Sequence, residues 1–205
     1  MPEEDIMKMP GYQYYEYMLV LQPHEELRNK ILSARKDFSD AYQSISTSGG
    51  KPHVLIAKFT VWHMMEEKII NRLKVIAMGF APFKAQIKDY GSFPSHTIYL
   101  NFTTIIPVKS LTGEIKKIKR LLKSPDHEPF FTNDPYIPIA RKIKSEDYEN
   151  AWKEYSTKHF TGSFIADGML LLKRREGERA YQVAQRLEFM NLPVVTRQGS
   201  LFSGE

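Results

Sequence analysis

The sequence predicts an α+β fold: two related lobes whose antiparallel sheets line a central groove, with helices packed outside. Three features of the chain point to it. Residues 52–58 read Pro-His-Val-Leu-Ile-Ala-Lys and residues 135–141 read Pro-Tyr-Ile-Pro-Ile-Ala-Arg, a repeated apolar strand with a polar head. Each copy follows one amphipathic helix and precedes another. No boundary between the halves reads as a linker, so the 205 residues are expected to form a single bilobal domain, with its core over about 12–190 and a loose tail at 192–205.

Residues 14–22 are aromatic and β-branched, as a strand requires, and Pro23 ends them. Leu27, Ile31, Ala34 and Phe38 fall at helical spacing, giving a helix to about residue 43. Residues 44–51 read as a turn. The first repeat strand, 53–59, leads to a helix carrying Met65, Ile69, Leu73 and Ile76, closed by Gly79 and Pro82. Residues 83–90 and 97–106 alternate as strands. Thr112 is placed to cap a third helix bearing Ile115, Ile118 and Leu122. A polar loop, 124–134, enters the second repeat strand at 136–142. Ser145 starts a fourth helix through Ala151, Trp152 and Tyr155, and two closing strands span about 163–174 and 180–190.

Composition excludes several classes. The chain has no cysteine, which removes disulfides, thiolate metal sites and thiol nucleophiles and fits a reducing compartment. Its first residues are acidic and lack an apolar core, and no apolar run reaches ~20 residues, so neither a signal peptide nor a membrane span is expected and the protein is read as cytoplasmic. The formal net charge of +5 is compatible with phosphate-bearing ligands. No glycine-rich phosphate loop and no nucleophile elbow is present. His63 and Glu67 stand one helical turn apart, but without a second histidine they read as an exposed helix face, so no metal and no cofactor is expected. The basic run at 113–123 reads as the solvated face of an amphipathic helix.

Strand alternation puts His53 beside Leu55, and Tyr136 beside Pro138, on one face. Val54, Ile56, Ile137 and Ile139 then point to the core. If a pseudo-twofold relates the lobes, both polar faces meet in one groove, which Thr97 and Tyr99 are also expected to line. The same alternation turns Lys58 and Arg141 to the opposite face, as solvated strand ends.

This pattern resembles the two-histidine (2H) phosphoesterase superfamily, the 2′-5′ RNA ligase-like or LigT-like group, whose signature is two copies of His-x-Thr/Ser-x on paired strands of a bilobal fold. The stretches GSFPSHTIYL (91–100) and ADGMLLLKR (166–174) fit the same resemblance. The resemblance implies opening of a 2′,3′-cyclic phosphate, one imidazole acting as base and the other as acid, with paired hydroxyls on the phosphoryl oxygens. This chain departs from the pattern at three of four positions. His53 stands at the first histidine, Leu55 at the first Thr/Ser, Tyr136 at the second histidine and Pro138 at the second Thr/Ser. A tyrosine, with an unperturbed pKa of ~10, donates a proton at neutral pH but scarcely accepts one. The expectation is a degenerate site that binds an RNA end or a nucleotide with little or no catalysis. One alternative is a working cyclic phosphodiesterase with His53 as base and Tyr136 as acid. The other is a protein-interaction module that has abandoned the groove.

Overall fold

The computed structural model describes residues 11–42, 46–47, 50–94 and 96–193. The chain runs β1 (Tyr14–Leu21), α1 (Glu25–Ala41), β2 (Ser46–Thr47), β3 (Val54–Trp62), α2 (Glu66–Met78), β4 (Phe83–Phe93) and β5 (Thr97–Phe102). It continues α3 (Ile105–Lys116), α4 (Lys119–Leu122), β6 (Phe130–Phe131), β7 (Tyr136–Arg141), α5 (Ser145–Tyr155), β8 (Thr161–Ala166), β9 (Gly168–Arg175) and β10 (Gln182–Glu188). The strands form two five-stranded antiparallel sheets, in the orders β6-β3-β1-β9-β10 and β2-β7-β5-β4-β8.

These orders carry the doubling. Each sheet begins with a two-residue edge strand, follows with a repeat strand, and then adds three strands. The edge strands are exchanged. β2 lies just before β3 in sequence but pairs with β7, and β6 lies just before β7 but pairs with β3. The helices cross over as well. α1 lies between β1 and β3 of the first sheet in sequence, yet it packs on β7 and β8 of the second. α3 lies between β5 and β7 of the second sheet, yet it packs on β3 of the first. Neither half can bury its apolar faces without the other.

The helix faces read from the sequence are the buried ones. Leu27, Ile31 and Phe38 of α1 and Ile69 and Leu73 of α2 are almost fully enclosed. Val54, Ile56, Ile137 and Ile139 have no exposed surface. At roughly 25 cal/mol per Å² of apolar area, each such side chain contributes about 2–3 kcal/mol of transfer free energy. No helix among the described residues is long and apolar enough to cross a membrane.

Four sequence expectations need correction. The helix expected to start at Thr112 starts at Ile105, and Thr112 lies inside it, its hydroxyl donating to the Val108 carbonyl at 2.8 Å. Thr103-Thr104-Ile105-Ile106 mimics strand alternation, yet Pro107 falls in the first helical turn, where a missing N–H costs nothing. The strand expected over 163–174 is two strands in different sheets. β8 pairs with β4, and after Asp167 the chain crosses to pair β9 with β1. Gly168 makes that crossing, since a Cβ there would meet the Leu187 carbonyl oxygen at 2.5 Å. The expected loop at 124–134 contains β6, and the expected turn at 44–51 contains β2, with residues 43–45 and 48–49 outside the described residues. From residue 194 the expected loose tail also lies outside them.

Candidate functional site

The two repeat strands share an irregularity that sets the geometry of the site. Against β1, Leu19 pairs with Ala57 and Val20 with Leu55, so Ile56 is an extra residue. Against β5, Ile98 pairs with Ala140 and Tyr99 with Pro138, so Ile139 is extra. Ile56 and Ile139 are matching positions of the repeat. Each copy thus carries a β-bulge at the same place, and a bulge resets the alternation of side chains by one residue. Residues three apart then share a face. Leu55 and Lys58 face the same way, as do Pro138 and Arg141.

All six repeat positions meet in one cleft of about 500 Å³ between the sheets. His53 and Leu55 enter from one repeat, Tyr136 and Pro138 from the other, and Lys58 and Arg141 flank them. Turning Lys58 and Arg141 away from the groove, as strict alternation does, is therefore incorrect. Met18 of β1 and Phe93 of β4 complete the walls, while Phe130, Phe131 and residues 132–134 form the rim. Thr97 is buried, and Tyr99 lies behind Tyr136 with ring centroids 4.9 Å apart, so neither is among the lining residues.

His53 is half-buried, and its Nδ1–H donates to the Lys51 carbonyl oxygen at 2.9 Å. That bond leaves Nε2 as the unprotonated nitrogen of the neutral ring. Burial pushes the His53 pKa below its ordinary value. The Lys51 carbonyl opposes the shift, and the Arg35 and Arg141 cations add to it. The shift favours the neutral ring. Tyr136 stands edge-on to Phe93, centroids 5.1 Å apart, within an aromatic wall.

The two cations of the cleft differ in their company. Lys58 Nζ lies 3.0 Å from Glu16 Oε2. Glu16 also takes both of its oxygens to Arg174, at 2.8–2.9 Å, and accepts from the Tyr181 hydroxyl at 3.0 Å. Burial alone would raise the Glu16 carboxyl, but Arg174, Lys58 and Tyr181 overcome it and hold the pKa at about 2. Arg141 is exposed and, among the described residues, has no carboxylate partner. Its guanidinium lines the cleft. Phe130, paired across the strands with Lys58, is 56% exposed at the rim.

Sequence reasoning noted Lys58 and Arg141 as basic residues at matching ends of both copies but turned them to the wrong face. It also passed over Arg35, buried behind the cleft, which carries no repeat signature. No cluster of three or more His, Cys, Asp or Glu side chains suited to a metal occurs among the described residues.

Residues 22–178 match the sequence model of the 2′-5′ RNA ligase superfamily. No curated protein matches the chain. Among solved structures, E. coli LigT complexed with NADP+ is similar with a TM-score of 0.63 at 14% identity, over 87% of this chain and 99% of that one. TT0787 of Thermus thermophilus is similar with a TM-score of 0.61 at 17% identity, over 85% of this chain and 98% of that one. LigT has further structures complexed with 3′-AMP, ATP and phosphate. At these identities the likeness is one of fold.

Proposed function

The chain belongs to the 2′-5′ RNA ligase superfamily, and we propose that it binds a phosphate-bearing ligand, an RNA end or a nucleotide, with little or no turnover of the family kind. One observation carries the reading: the paired positions of the repeat converge on a single cleft that presents two cations and one imidazole, with Leu55 and Pro138 at the positions where the resemblance places hydroxyls. Arg141 offers a planar, permanently charged fork suited to phosphate oxygens. Phe130 sets an exposed ring beside Lys58, so a nucleobase stacks where its phosphate reaches the cations. The LigT complexes with 3′-AMP and phosphate belong to the same ligand class.

Catalysis needs more than the cleft retains. His53 is poised as a base, but its partner must protonate the leaving oxygen and later recover that proton. A phenol such as that of Tyr136 gives up its proton far less readily than an imidazolium, so it performs the first task poorly, and losing such a partner costs ~10²–10⁴ in rate. Leu55 and Pro138 donate nothing to the phosphoryl oxygens, and a missing donor of that kind costs ~10²–10³.

The test pairs binding with turnover. Titrating the protein with 3′-AMP should raise its melting temperature and perturb the His53 resonances, and Arg141→Ala should move both effects to roughly tenfold higher ligand concentration. Robust hydrolysis of a 2′,3′-cyclic nucleotide, lost on His53→Ala, would favour the working phosphodiesterase. A melting temperature and His53 spectrum indifferent to every phosphate ligand would favour the interaction module.

A further inference from the structure

Arg35 is a charged side chain in an expensive place. It projects from α1, which covers the second sheet, and its residue is only 5% exposed. Burying an arginine costs several kcal/mol unless its donors are matched. Its Nε donates to the Pro138 carbonyl at 3.0 Å, and Nη1 donates to the Gly50 carbonyl at 3.0 Å. One acceptor lies just before the first copy of the repeat and the other within the second. Gly50 precedes the first copy, three residues before His53. Pro138 lies within the second copy, beside the extra residue Ile139. A rigid fork can hold two carbonyls at a fixed separation, which a lysine ammonium cannot do as well.

From this placement, and resting on the phosphate-binding reading above, the geometry points to Arg35 as the positioning residue of the cleft. One guanidinium ties the chain entering β3 to the bulge of β7, and it sets a desolvated positive charge behind the site where His53 and Arg141 take the ligand's phosphate. Arg35 itself touches no ligand. It works by fixing the spacing between the two repeats and by adding to the potential an anion meets.

Two consequences separate this role from simple packing. The Arg35 charge is felt at both groups in front of it: it disfavours protonation of His53, and it shares a like-charge repulsion with Arg141. Burial first, and then Arg141, holds the Arg35 pKa itself at about 10, still charged at neutral pH. An anion between His53 and Arg141 relieves that repulsion. Phosphate binding and the Arg35 charge are therefore coupled.

The test uses the full chain with Arg35→Met and Arg35→Lys, and inorganic phosphate and 3′-AMP as probes. Affinity comes from calorimetry and the His53 titration from nuclear magnetic resonance. Arg35→Met should weaken both probes roughly tenfold or more, the effect of losing one nearby buried charge, and should raise the pH at which His53 titrates. Arg35→Lys should leave the His53 titration near that of the wild type but weaken the probes severalfold, because the charge stays while the fork is lost. Wild-type affinity in Arg35→Met with an unmoved His53 titration would overturn the proposal. If Arg35→Met fails to fold, Arg35→Lys decides, and full wild-type affinity there would overturn it. If wild-type protein binds neither probe, the phosphate-binding reading fails. The His53 titration then still decides whether Arg35 sets the electrostatics of the cleft.

Discussion

The two repeat strands are alike where they face the core and unlike where they face the cleft. β3 and β7 both bury two apolar residues on the inner side, both bulge at the same isoleucine, and both carry a cation at the same place. Their outer positions diverge: His53 and Leu55 on one, Tyr136 and Pro138 on the other. Their cations diverge too, since Lys58 is tied to Glu16 while Arg141 has no carboxylate partner among the described residues. The scaffold of the two repeats is alike while the groups they present to the cleft are not. Core packing and bulge geometry are constrained by the fold. The groups in the cleft are constrained only by what the cleft must do.

On the core side the two strands should respond alike. Ile56→Ala and Ile139→Ala each remove a fully buried side chain at a bulge, and each should cost about 2–5 kcal/mol by chemical denaturation. A large cost at one and none at the other would mean that the shared bulge is not equally built into both halves.

The acid anchor of the first repeat should show as a pH dependence. Glu16 has a folded pKa of about 2, below its value of about 4.3 in an unfolded chain. A depressed carboxylate contributes stability that is present above the unfolded value and lost as pH falls through the folded one. Glu16→Gln should therefore destabilise the protein at pH 7 by on the order of 3 kcal/mol. The gap to wild type should close as pH falls from about 4.3 towards 2, which melting curves at stepped pH will resolve. A gap that stays constant with pH would assign the loss to packing.

Supplying the family pattern in both repeats should raise turnover. Leu55→Thr, Tyr136→His and Pro138→Thr together add one imidazole and two hydroxyls to the cleft beside His53. Hydrolysis of a 2′,3′-cyclic nucleotide should rise at least ~10²-fold over wild type. The cations should separate by a smaller margin. Arg141→Ala should weaken 3′-AMP by roughly tenfold, as loss of a charge-assisted pair does, and Lys58→Ala by less, because Glu16 already holds that ammonium.

Much of this was legible in the sequence. The repeat, the helix faces at Leu27–Phe38 and Ile69–Leu73, and the convergence of His53 and Tyr136 on one cleft follow from period and spacing. The cations were visible at matching positions but their facing was misread, because alternation was carried through Ile56-Ala57 and Ile139-Ala140 without a break. Two adjacent apolar residues at the same place in both copies are what a bulge looks like in a sequence. The exchanged strands β2 and β6 are two residues long, too short for any pattern, and each exists only because the other half supplies a partner. The α3 start was masked by a run of threonine and isoleucine that alternates like a strand. Arg35 was invisible because its meaning lies in two carbonyls 15 and 103 residues away along the chain.

The most direct measurement is a phosphorus resonance titration of adenosine 2′,3′-cyclic phosphate with the wild-type protein at neutral pH. A binding cleft without turnover should give a saturable shift of the cyclic phosphate signal, diminished by Arg141→Ala, with the ring still closed after prolonged incubation. Steady conversion to a 2′- or 3′-monophosphate that disappears with His53→Ala would contradict it, and so would a signal the protein never moves.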